Sequence, residues 1–186
     1  MNEILKAAQD MLPQMIEDRR TIHRMGGVGF ELRQSADYIL SVLEKAGIEA
    51  REVCPCGIVA TVGRGDKTIL LRADFDALPL CEVTGLPFAN TAGSCHACGH
   101  DFHATMLLAA ARMLKARENE LNGVVKLVFQ PAEETLEGSM ALIRAGALEN
   151  PHVDAAFAMH VEAGAEYSAA GTVRYSRGAT YAAGDK

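Results

Sequence analysis

The sequence predicts an α/β fold, a three-layer sandwich in which a mostly parallel mixed sheet is flanked by helices. Three observations carry this. Short β-type segments alternate with segments of helical periodicity. Hydrophobic residues make up 49% of 186 residues, enough for one substantial core. The unusual polar residues sit just beyond the carboxyl ends of the β segments, where open parallel sheets build their sites.

The elements follow in order. Ile4, Leu5, Ala8, Leu12, Met15, Ile16 and Ile22 recur at helical spacing, so the first two dozen residues read as helix. Pro13 must either kink that helix or occupy the first turn of a new one, because it has no amide donor. A second amphipathic helix spans Leu32 to Ala46, and Gly47 is placed to close it in a left-handed cap. Strands are expected near Glu49–Cys54, Ile58–Val62 and Thr68–Arg72, with Cys54-Pro55-Cys56 structural or in a hairpin turn. A helix from about Phe102 to Ala116 follows, with Asp101 as its N-cap. Then come a strand Val124–Gln130, a helix around Gly138–Ala145, a strand Ala155–His160 and a last strand near Gly171–Tyr175.

Composition narrows the function. A net charge of −6 argues against a nucleic-acid backbone or an anionic membrane surface as partner. The longest apolar runs stop far short of the roughly 20 residues a spanning helix needs, and the start of the chain lacks a secretory pattern. Five cysteines, Cys54, Cys56, Cys81, Cys95 and Cys98, are an odd number in a chain too large to need staples, which fits reduced thiols in the cytoplasm.

Four segments hold the candidate chemistry: Arg72-Ala73-Asp74-Phe75-Asp76, Cys95-His96-Ala97-Cys98-Gly99-His100-Asp101-Phe102-His103, Gln130-Pro131-Ala132-Glu133-Glu134, and Met159-His160-Val161. Thiolate, imidazole and carboxylate together form a ligand set for zinc, manganese, cobalt or nickel rather than magnesium or calcium. Cys98 and His100, two apart in an extended approach to the helix, can grip one centre, and the helix N-terminus favours the cysteine thiolate. Glu133 and Glu134, adjacent in extended chain, face opposite ways, so one can bind metal while the other faces the substrate water. Of Asp74 and Asp76, one can orient a metal-bound histidine. Cys95-His96-Ala97-Cys98 also matches a redox Cys-x-x-Cys and, with His100 and His103, a zinc knuckle. The knuckle would pack its four ligands into nine residues without the intervening loop a tetrahedral site spans, and the redox reading leaves Glu133, Glu134 and His160 unexplained.

In this order, the four segments resemble the aminoacylase and carboxypeptidase-type dinuclear metallopeptidase superfamily, most closely its amidohydrolase branch of hippurate hydrolases, auxin-conjugate hydrolases and N-acyl-amino-acid deacylases. The likeness runs from Arg19-Arg20-Thr21-Ile22-His23 to the last residues. It implies Cys98, His100, Glu134 and His160 as metal ligands, Glu133 as general base and Asp76 as a supporting acid. It also implies two divalent ions per complete site, an N-acyl amino acid substrate and a homodimer. The chain departs from the pattern at Gly26-Gly27, where relatives carry Pro-Glu, at Cys95, where they carry methionine, and at Thr135-Leu136-Glu137-Gly138, where they are glycine-rich. Such enzymes are about twice as long, so residues 1–186 are expected to be the N-terminal part of the catalytic domain. The lid or dimerisation domain and the C-terminal catalytic segment would lie beyond, and this part alone would be inactive. The alternative from another class is a non-catalytic metal- or thiol-dependent binding module holding a structural zinc.

Overall fold

The computed structural model describes residues 3–162, 169, 171–175 and 177–178. Its order is α1 (Glu3–Asp10), α2 (Leu12–Met25), α3 (Arg33–Lys45), β1 (Ala50–Cys54), β2 (Gly57–Gly63), β3 (Thr68–Asp74), α4 (His100–Ala116), β4 (Val124–Gln130), α5 (Gly138–Arg144) and β5 (Ala155–Ala158). The first helix is thus two helices, with Pro13 in the first turn of α2. There its missing amide costs nothing, because first-turn donors have no intrahelical acceptor. Gly47 follows α3 with φ +70°, a left-handed conformation that suits a residue without Cβ.

The sheet has the strand order β1-β2-β4-β3-β5. It is mixed: β1 with β2 and β2 with β4 are antiparallel, while β3 with β4 and β3 with β5 are parallel. Cys54-Pro55-Cys56-Gly57 makes the β1–β2 turn, with Cys56 at φ +58°. A two-stranded turn this short can only return the chain antiparallel. On one face α2, α3 and α4 bury Ile22, Leu32, Ile39, Leu43 and Leu108 against Ile58, Val62, Phe75, Leu127 and Phe129. On the other, Leu142 of α5 and Ala147 pack on Val59, Leu70 and Val128. Helices on both faces make the three layers.

Two features position the site. Lys126, fully buried in β4, donates its ammonium to the carbonyls of Ala147, Glu149 and Pro151 at 3.0, 2.8 and 2.7 Å, which fixes the chain that enters β5. Leu78 and Cys95 exchange two backbone hydrogen bonds of 3.0 Å, closing the long excursion between them.

Two expectations are corrected. Residues 171–175 form a turn and irregular chain, not a strand. Val173 and Tyr175 are largely exposed and no described strand pairs with them. The N-cap of α4 is Gly99 at φ +81°, not Asp101. Asp101 lies inside the first turn because its carboxylate is bound elsewhere, accepting from Arg19 at 2.7 Å and lying 2.7 Å from His23 Nδ1.

Candidate metal centre

Register brings the site together. Asp74 pairs with Gln130 and Arg72 with Ala158 in the parallel ladders, so the chain leaves β3, β4 and β5 at the same end of the sheet. The segments bearing Asp76, Glu133-Glu134 and His160 emerge there, and α4 delivers His100 from its first residue.

Cys98 Sγ lies 3.3 Å from His160 Nε2. His100 Nε2 lies 3.8 Å from Glu134 Oε1 and 3.9 Å from Glu133 Oε2. Donor atoms of Cys98, His100 and His160 fall within 4.8 Å of one another, as do those of His100, Glu133 and Glu134. His100 is therefore common to both groups, and all six sequence-predicted residues meet around it. Asp76 supports it from behind: one oxygen is 3.2 Å from His100 Nδ1, and the other accepts the backbone N–H of Glu134 at 3.1 Å. One carboxylate so orients both an imidazole and the glutamate segment.

The glutamates do not stand in extended chain. They lie in a turn that follows Ala132, which has φ +51°, and residues 133–136 are all turn. The turn lets both carboxylates converge on His100 rather than face opposite ways. They still differ, since Glu133 keeps 34% of its side chain exposed and Glu134 22%. The more open carboxylate suits contact with a substrate.

His100 Nε2 and Glu134 Oε1 are buried without a hydrogen-bond partner, a costly state for polar atoms. Their 3.8 Å separation is too long for a hydrogen bond and suits two ligands of one ion, since ligands bound at roughly 2.0–2.2 Å stand roughly 3–4 Å apart. The electrostatics agree. The Cys98 thiol is pushed up to about 11, by burial first and then by the charges of Glu134, Glu133 and Asp74. The thiolate that the helix N-terminus was expected to favour is thus disfavoured, by burial first and the carboxylates second, and a bound cation would supply the counter-charge. Burial also raises Glu133, with Asp74 and Glu134 adding to the rise against His100 and Arg72. Burial pulls His100 down, but Asp76, Asp74 and Glu134 more than offset it and leave its pKa raised.

A model of the peptidase family M20/M25/M40 matches residues 70–178, more than half of the chain. The chain belongs to this family. Among curated relatives, IAA-amino acid hydrolase ILR1-like 5 of Arabidopsis thaliana is 41% identical over 160 residues, 84% of this chain and 36% of the relative. Hippurate hydrolase of Campylobacter jejuni is 39% identical over 155 residues, 81% of this chain and 40% of the relative. A crystal structure of the Bacillus subtilis YXEP protein, described as a dinuclear metal binding peptidase from the M20 family, superposes with TM-score 0.78 at 38% identity, over 83% of this chain and 44% of that one. This M20 chain thus spans about two fifths of the length of these relatives and has the α/β catalytic fold of the family, with side chains that suit a divalent metal.

Sequence reasoning missed a second set of contacts beside the M20 site. Asp74 receives Arg72 at 2.7 Å and lies 2.5 Å from His103 Nδ1, while His103 Nε2 accepts the backbone N–H of Val161 at 2.9 Å. Farther out, His23 Nε2 lies 3.0 Å from Glu82, whose carboxylate also accepts from Thr84 and from the Asn90 backbone. The only signal in the sequence was the density of histidine and acid residues. These contacts join positions up to 59 apart.

Proposed function

We propose that this chain carries the metal-binding part of an amidohydrolase that cleaves N-acyl amino acids of the hippurate or N-acetyl-amino-acid kind. In this reading Cys98, His100, Glu134 and His160 are metal ligands, Glu133 is the general base and Asp76 holds His100 in place. The observation that carries it is the pair of partnerless buried atoms, His100 Nε2 and Glu134 Oε1, facing each other beside a more open Glu133. The printed names of the relatives supply the substrate class.

Two divalent ions, of manganese, zinc, nickel or cobalt, would polarise the scissile carbonyl and acidify the attacking water. The rest falls to side chains. Glu133 takes the water proton on its exposed carboxylate and passes it to the departing amine, a role helped by a pKa already raised toward working pH. Asp76 keeps the Nδ1 side of His100 engaged, so that Nε2 faces the site with its lone pair, and holds the Glu134 backbone at the matching height. The complete enzyme is read as a cytoplasmic homodimer. Five free cysteines fit that compartment, and no helix among the described residues is long and apolar enough to cross a membrane.

The test separates the adjacent glutamates in the complete enzyme. Glu133→Gln should retain metal and lose about 10²–10⁴-fold in turnover; Glu134→Gln should lose metal as well. A Glu133→Gln enzyme with full activity on hippurate and N-acetyl amino acids would end this reading. Metal binding with no hydrolysis of any N-acyl amino acid by the complete, unsubstituted protein would favour the structural-zinc module instead.

A further inference from the structure

His103 is close enough to the centre to be mistaken for a ligand, since it groups with Asp74 and His100 within 4.8 Å. Its nitrogens are both engaged. Nε2 accepts the Val161 N–H at 2.9 Å, so it carries no proton of its own. The ring proton is then on Nδ1, donated to Asp74, which the Arg72 guanidinium holds at 2.7 Å while Arg72 Nε donates to Gln130 at 2.9 Å. The result is a continuous series from β4 through β3 and α4 to the chain beyond β5.

That chain needs holding. After Ala158 it leaves the ladder and has no regular structure, and His160 is exposed. Val161 is fixed at both of its backbone groups: its N–H goes to His103, and its carbonyl is 2.7 Å from His160 Nδ1. With Nδ1–H donated to that carbonyl, His160 presents Nε2 as a lone pair toward Cys98, 3.3 Å away. Gly99 permits the close approach, because a Cβ there would stand 2.4 Å from a Val161 methyl.

We infer that His103 is a positioning residue: through Asp74 on one side and the Val161 N–H on the other, it sets where His160 enters the metal centre. This rests on the reading of His160 as a ligand. Partners of this kind beyond the ligands are worth about 10–100-fold in metal affinity when removed.

The test uses cobalt(II) alone as probe, with affinity from chelator competition and the number of coordinated imidazoles from paramagnetically shifted N–H resonances. Two substitutions divide the contacts of His103. In His103→Asn the amide takes the place of Nδ1, keeping Asp74 partnered and the fold intact but losing Val161. In His103→Gln the amide reaches the place of Nε2 and can still accept the Val161 N–H. His103→Asn should weaken cobalt binding by about 10–100-fold and remove the His160 resonance, whereas His103→Gln should keep most of the affinity. In a His160→Ala background, itself weakened, His103→Asn should cost nothing more, because a residue acting through another shows full coupling to it. An undiminished affinity in His103→Asn, equal losses with Asn and Gln, or a loss that persists in full without His160 would each overturn the inference. If His160→Ala bound cobalt as tightly as the unsubstituted chain, the ligand reading of His160 would fall first.

Discussion

Lys126→Met removes an ammonium and keeps a stem of similar length, which isolates what the three-carbonyl clamp contributes. Ala147 is buried, so its carbonyl is left without a donor, at a cost of about 1–3 kcal/mol. The carbonyls of Glu149 and Pro151 lie in residues that reach solvent and can turn to water, losing about 0.5–1.5 kcal/mol each. Relief from burying the ammonium returns part of this, and the net loss works out at about 2–4 kcal/mol. For a chain of this size that is roughly 5–15 °C in melting temperature. Urea unfolding followed by circular dichroism measures the total. Hydrogen exchange should show the first loss of protection in β5 and the segment before it, because the clamp holds residues 147–151. A variant within about 0.5 kcal/mol of the parent, the usual range of an uninvolved surface change, would refute the reasoning.

Two further outcomes are expected. Cys98→Ser should lower bound manganese, zinc or nickel, whereas Cys95→Ser should leave it nearly intact, since Cys95 meets Leu78 through its backbone and its thiol is not needed for the bridge; equal metal loss in both, by elemental analysis, would favour the knuckle or redox reading. Burial pushes Glu82 up, but hydrogen bonds from Thr84, His23 and the Asn90 backbone outweigh it and hold it at about 2, against an ordinary value of 4.5. A depressed carboxylate stabilises fully above the unfolded value and is lost as pH falls through the folded one, so acid titration of stability should show a loss between about 4.5 and about 2 that is absent in Glu82→Gln; identical acid profiles would remove Glu82 as its source.

How far the sequence could be read depended on whether a residue's partner was near it in the chain. The strand Val124–Gln130 is where its apolar run placed it, because Pro131 ends the ladder just as the pattern stops. The Cys98-x-His100 and Glu133-Glu134 segments were legible from their place, one leading into a helix and the other following an apolar strand that Pro131 ends. The antiparallel half of the sheet was less so: β1 and β2 are apolar enough to read as strands, but alternation says nothing about direction. The capping of α4 misled because Asp101 has the right chemistry for a cap and is claimed instead by Arg19 and His23, about 80 residues earlier. His103 and Val161 could not be paired at all from sequence, since one partner is a backbone N–H and any residue but proline supplies one.

The Leu78–Cys95 bridge separates two parts of the chain with different surroundings. On the inner side, Asp76 stands 3.2 Å from His100 and Cys98 3.3 Å from His160. On the outer side, Leu80, Val83 and Leu86 show apolar surface to solvent. Because two backbone bonds close the excursion, its length is decoupled from the position of its ends, and doubling it would cost only about 0.6 kcal/mol in closure entropy. Glu82 adds a tether to His23, Asn90 one to the Arg24 carbonyl and Ser94 one to the Gly27 N–H, while Val83 at the tip is almost fully exposed. Insertions at the exposed tip around Val83 would therefore leave the ends of the excursion, and the candidate centre beyond them, in place.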